Sequence, residues 1–353
     1  MGRDIDTAAR ALLALGLALA AAGCRCGPEQ HRSGADERPQ DCRSPLDPET
    51  RTLLERHESD YLEARRRATA WLDRLEVDPA ELRARGIKGK KKLVELLDAY
   101  AWMSRCPLEG EREALERRVR SIVAVTDTEA YHDMGTIDDR QFKQDATSYM
   151  RAAYLMDELG LDTTFYREQI AKVKARYDGH MPRRGPAQRM IFHVYYQHFG
   201  LEEPFPLDAA FDEGVISRRP DPSTLGRMRI YHLAHEIFMP YRYGRVRQSD
   251  FFDPSDVDYL GRALPVLVRR RIGVHDPDLV AELVLCMEYL DLEADPAYRE
   301  GLAFLLDSQS SDGSWGSYPR ADRRFGRWAT YHVYLHTTKL ALSALINAWR
   351  CPE

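Results

Sequence analysis

Three stretches of the chain carry side chains able to hold a metal or move a proton. Tyr231-His232-Leu233-Ala234-His235 sets two imidazoles at i and i+3, and Tyr331-His332-Val333-Tyr334-Leu335-His336 sets two at i and i+4. The second spacing puts both rings on one helical face, the usual way in which a helix supplies a pair of metal ligands. Asp276-Pro277-Asp278 reads as a helix start, with Asp276 as cap and Pro277 as first helical residue, so Glu282 shares a face with Asp278. A histidine from each of the first two stretches and a carboxylate from the third would form a site suited to zinc or iron. Its ligands would be His235, Glu282 and His336, with His232, Asp278 and His332 as second choices. Without a metal, Glu282 and His336 could act as an acid/base pair. The same residues also allow a purely structural role. Histidines near Tyr231, Tyr331 and Tyr334 can be satisfied by hydroxyls and carbonyls, and Asp278 can serve the dipole of its helix.

Helices must position these groups. From about residue 51 apolar side chains recur at helical spacing, as in 61–77 and 92–103, and alternating β-branched runs are missing. A degenerate repeat runs through the chain. Helix ends are marked at Leu159-Gly160, Phe199-Gly200, Tyr243-Gly244 and Leu290-Asp291, and in the first three a glycine suits the left-handed position past a helix. Each is followed by a second helix and then a polar loop, expected at Tyr177-Asp178-Gly179, Asp212-Glu213-Gly214, Ile272-Gly273 and Asp312-Gly313. The unit is a helical hairpin of about 45–50 residues, within the range of helical repeats. Such hairpins either close into a toroid or remain an open solenoid.

Closure is supported by Gly301 to Trp315. Phe304-Leu305, Gln309 and Asp312-Gly313-Ser314-Trp315 resemble the QW motif of the terpene cyclase and prenyltransferase superfamily. The resemblance implies an all-α, α/α toroid in which the Gln caps a helix end, the Trp stacks beside it, and the first helix of each hairpin lines a central cavity. It does not carry terpene chemistry. The string nearest the cyclase acid motif DxDD is Thr136-Ile137-Asp138-Asp139, which lacks the first Asp, and the diphosphate-binding DDxxD is absent. Prenyltransferases of this superfamily hold zinc with Asp, Cys and His, but their ligand spacing is not reproduced here.

The N-terminus supplies an address. Residues 11–22 are an unbroken apolar run preceded by Arg3 and Arg10. That is shorter than the roughly 20 residues of a membrane span and fits a signal-peptide core. The run ends in Leu19-Ala20-Ala21-Ala22-Gly23-Cys24, which resembles the lipobox of bacterial lipoproteins and implies lipidation of Cys24. The expected layout is a signal peptide over 1–23, a disordered tether over 24–50 and a toroid domain over 51–353. Arg25 after the acylated cysteine points to the outer membrane, periplasmic face. In that oxidising setting Cys26, Cys42, Cys106 and Cys351 could form disulfides, while Cys286, within an apolar string, reads as a buried thiol.

A net charge of −5 offers no basic field for a polyphosphate, so nucleic acid is not an expected partner. Lys88-Gly89-Lys90-Lys91-Lys92 reads as a solvated basic face, with acidic lipid headgroups its one plausible functional partner, and His132-Asp133 as a helix start. The expected protein is an envelope-anchored lipoprotein whose toroid cavity binds or processes a glycan, lipid or peptide. The alternatives are a metal-dependent enzyme using zinc or iron in that cavity, and a non-catalytic scaffold.

Overall fold

Five helices begin with the dipeptide Asp-Pro, at residues 47–48, 78–79, 253–254, 276–277 and 295–296. In each the aspartate side chain accepts a hydrogen bond from a first-turn backbone N–H, and the proline sits where no helical N–H is needed. Helix ends are encoded as locally. Gly160 and Gly200 adopt φ of 69° and 63°, the left-handed geometry that closes a helix at little cost.

The computed structural model describes residues 46–349 apart from 127, 129–130 and 247–249. The fold is all-α, with sixteen α-helices and, among the described residues, no strand. None of the described helices is long and apolar enough to cross a membrane. The first described helix is Pro48–Arg56, so residues 48–50, expected as the end of the tether, are helical: Thr50 is buried and its hydroxyl donates to the Glu293 carbonyl. Tyr177-Asp178-Gly179, expected as a loop, lies inside helix Lys174–His180, where Tyr177 is buried. Cys24, Cys26, Cys42 and Cys351 lie outside the described residues. Cys106 and Cys286 are buried.

In chain order the helices are α1 (Pro48–Arg56), α2 (Glu58–Asp73), α3 (Pro79–Ala84), α4 (Gly89–Arg105), α5 (Arg112–Thr126), α6 (Asp139–Glu158), α7 (Thr164–Lys172) and α8 (Lys174–His180). They continue with α9 (Pro186–Phe199), α10 (Leu207–Asp212), α11 (Arg227–Phe238), α12 (Pro254–Gly273), α13 (Pro277–Tyr289), α14 (Pro296–Asp307), α15 (Pro319–Phe325) and α16 (Leu335–Trp349). Six of them pack in a cycle: α4 on α6, α6 on α9, α9 on α11, α11 on α13, α13 on α16, and α16 back on α4. Cross-helix pairs show common direction. Lys90, Asp98 and Arg105 of α4 face Asp145, Arg151 and Glu158 of α6, and Asp278, Glu282 and Glu288 of α13 face Thr337, His336 and Asn347 of α16. Parallel neighbours need a return helix between them, and those helices form the outer layer: α5 packs on α4, α7 on α6, α10 on α9 and α12 on α13.

The last inner helix, α16, is backed by α2 and α14, so an early helix and the last described one meet. Gln309 Nε2 donates to the Ala64 carbonyl at 2.9 Å and to the Gly313 carbonyl at 3.0 Å. Trp315 is wholly buried; its indole donates to the Leu305 carbonyl at 2.7 Å and its backbone N–H to Thr338 Oγ1 at 3.1 Å. Gly313 has φ of 97° and lies against the Arg67 carbonyl, where a Cβ would collide. The QW-like residues thus join the final hairpin to α2.

Candidate functional site

The first turns of α4, α11, α13 and α16 bring their polar side chains together, forming a hub around His336. This residue is partly open, with 21% of its side chain accessible. Its Nδ1 lies 3.1 Å from Glu95 Oε1, off the line a full hydrogen bond needs. Its Nε2 lies 3.7 Å from Asp278 Oδ1 and 3.9 Å from Glu282 Oε1.

The three carboxyls differ in their surroundings. Burial opposes ionisation of Glu95, but Lys92, Lys91 and His336 outweigh it and hold the group well below the usual range. Lys92 Nζ donates to Glu95 Oε2 at 2.6 Å. Asp278 is also lowered against the effect of burial, by His336 and Arg227. Arg227 donates to Asp278 Oδ2 at 2.6 Å, and Thr337, itself bonded to the Tyr318 hydroxyl, donates to Oδ1 at 3.0 Å. Glu282 is the exception: the side chain is fully buried and neither oxygen has a hydrogen-bond partner. Burial, reinforced by the nearby Asp278, raises its pKa well above the usual range. The hub therefore combines one carboxyl whose surroundings favour the neutral form with two whose surroundings favour the ionised form, an arrangement that separates acid from base.

Below the hub the ring interior is filled by ion pairs. Asp98 accepts from Arg151 at 2.7 Å and Lys339 at 3.0 Å, and Arg151 lies 3.9 Å from the centre of the Tyr243 ring. Towards the other end Glu158 pairs with Arg105 and Arg245.

Of the expected site residues, the structure brings together His336, Glu282 and Asp278. His235 lies near them but turns Nδ1 to its own helix, donating to the Tyr231 carbonyl at 3.0 Å, and burial lowers its pKa to about 3. His232 is exposed on another face of α11. His332 falls in a π-helical turn, Thr330–Tyr334, just before α16. The wider turn breaks the i, i+4 alignment with His336, and the His332 ring packs against Phe325 with centroids 4.2 Å apart. His235, Glu282 and His336 are therefore not joined as metal ligands, and among the described residues no three His, Cys, Asp or Glu side chains are arranged to hold a metal ion.

Sequence reasoning missed Glu95, Lys92, Asp98 and Lys339. The signal lay in α4, where Lys92, Glu95 and Asp98 recur every third residue through an otherwise apolar string. The lysine run is not simply a solvated face: Lys88 and Lys91 are exposed, but Lys90 and Lys92 are buried. Lys90 donates to Tyr149 and to Asp133, so Asp133 does more than start a short 3-10 turn.

No curated protein and no solved structure matches the chain. The model of a family described as a domain of unknown function, DUF6895, matches residues 61–337, a span holding Glu95, Asp278, Glu282 and His336, and the chain belongs to that family.

Proposed function

We propose that the protein is an envelope-anchored lipoprotein, lipidated at Cys24, whose helical ring is an α/α toroid that binds and processes a glycan at the hub. One observation carries the site: the fully buried Glu282 carboxyl has no hydrogen-bond partner and stands beside His336 and the ionised Asp278. An orphaned buried carboxyl costs about 1–3 kcal/mol, which a scaffold gains nothing by keeping. In a working site it is a proton donor held neutral. Paired acid and base groups suit cleavage of a glycosidic bond, where one carboxyl protonates the departing oxygen and another group activates water or the anomeric carbon. Lys92 and Arg227 offset Glu95 and Asp278, which favours an uncharged reacting centre rather than a phosphate. Tyr231 and Tyr318 supply aromatic walls beside the hub.

The test is release of reducing ends from isolated envelope polysaccharides by the full chain and its Glu282→Gln variant. Release by the parent, lost in a variant that unfolds at no lower a temperature, supports the reading. No release by the parent, or equal release by both, rejects it.

A further inference from the structure

Exposed cations gather near the hub. Lys88 and Lys91 of the α4 start, Arg227 of the α11 start, and Arg85, Arg324 and Arg327 of the adjoining segments are all exposed. They belong to one rim. Lys91 and Arg227 pair with the hub carboxylates Glu95 and Asp278. Arg85 and Arg327 both pack on the Trp328 ring, with guanidinium-to-centroid distances of 5.2 and 4.7 Å. Arg324 acts electrostatically on His332, as does Lys92 of the hub. Lys88 feels Lys91 and Arg184 as like charges. Among the described residues Arg85, Lys88, Arg324 and Arg327 make no ion pair, so their charge is available to a ligand. Asp322, a carboxylate of the same segment, is bonded to the Tyr334 hydroxyl. This basic rim stands out on a chain whose net charge is −5.

Beside the rim runs an open groove of about 970 Å³, whose walls include Trp328 and Tyr331 and charges of both signs, Arg83, Arg118 and Arg327 with Glu76, Asp78 and Glu81. A concave groove with aromatic walls fits a chain of sugar rings better than it fits a flat lipid surface, and the attraction for carboxylates comes from the exposed cations beside it.

We propose that the ligand is an anionic polysaccharide, a polymer of carboxylate-bearing sugars, captured by this rim and fed to the hub. The inference rests on the glycan reading above and names the class of glycan. The rim supplies capture and register through charge, and the nearly balanced hub supplies the chemistry.

The experiment measures binding of the full chain to labelled polygalacturonate by fluorescence anisotropy, beside dextran of matched length and phosphatidylcholine vesicles with and without phosphatidylglycerol. Polygalacturonate should bind at low salt and weaken as salt rises, and dextran should not bind. The combined Lys88→Glu, Arg324→Glu and Arg327→Glu variant should bind more than tenfold more weakly, while the corresponding Lys88→Arg, Arg324→Lys and Arg327→Lys variant keeps most of the affinity. These positions are exposed and unpaired, so circular dichroism should be unchanged. Salt-sensitive binding of polygalacturonate with no release of reducing ends from it would reject the hub reading and leave this one standing, which separates the two failures. Equal binding of dextran, indifference to charge reversal, or binding to anionic vesicles in place of polygalacturonate overturns the proposal.

Discussion

Glu282 makes the sharpest test because its burial ties stability to pH with a sign of its own. Its folded pKa is raised well above the ordinary 4.5, chiefly by burial. Above pH 4.5 the unfolded chain releases this proton while the folded chain keeps it. Stability from the protonated group is therefore complete below 4.5 and declines as pH rises, until the folded group also ionises. The slope is about 1.4 kcal/mol per pH unit for as long as the folded group keeps the proton that the unfolded one has lost. His235, lowered to about 3 in the fold, acts in the opposite sense, with stability that is lost as pH falls below 6.5. The two slopes overlap, so the parent's own curve is uninformative. The informative quantity is the difference between Glu282→Gln and parent, measured by urea unfolding between about pH 5 and pH 7. The amide does not titrate, so the variant should gain on the parent as pH rises, by about 1.4 kcal/mol per unit while the folded carboxyl stays protonated. Curves that stay parallel would mean that Glu282 is ionised in the folded hub, and its role as proton donor would fail.

Other outcomes follow from the same geometry. Gly313→Ala places a Cβ against the Arg67 carbonyl at a φ of 97°, and should cost about 2 kcal/mol or more, read as a fall in Tm of several degrees. Asp98 is brought down to about 2 by Arg151 and Lys339 against the effect of burial. Its depressed pKa gives about 2 kcal/mol of stability that is present above pH 3.8 and lost as pH falls towards 2. Asp98→Asn should therefore be destabilised at neutral pH and lose less on acidification, as acid-unfolding curves will show. Cys24→Ser should abolish incorporation of radiolabelled palmitate in a bacterial host; undiminished labelling would refute lipidation at that residue.

The helices and their order were legible because their signals are local. Asp-Pro starts and left-handed glycines fix ends without reference to the rest of the chain, as at Asp276-Pro277 and Gly200. The bond from Gln309 to the carbonyl of Ala64 joins segments far apart in sequence, and no local signal in α2 announces it. The hub was legible only in part. Asp278, Glu282 and His336 were placed by helical spacing, but His332 was misplaced because a π-turn inserts an extra residue into the turn before α16. Lys92 and Glu95 were lost for a different reason. On an ordinary surface helix a charged stripe faces water, whereas α4 is buried on almost every side and its stripe faces other charges. Pairing across helices is a long-range fact, and one sequence does not reveal it.

The ion pairs that fill the ring interior raise a fair objection: a hub of charges could be nothing more than a polar plug. Asp98 fits that account, with two cations bonded to one carboxylate, and so does Glu158 between Arg105 and Arg245. Such pairs fix the register of parallel helices even where they add little stability. Glu282 does not fit it. It sits deeper than Asp278, has no hydrogen-bond partner, and lies on a helix whose neighbouring positions are Ala281 and Leu283. A leucine there would fill the space without the desolvation cost, and a plug built for register would use a paired residue. A buried carboxyl with no hydrogen-bond partner, 3.9 Å from the His336 ring, is what the proposed proton donor requires, and His336, with 21% of its side chain accessible, joins it to solvent.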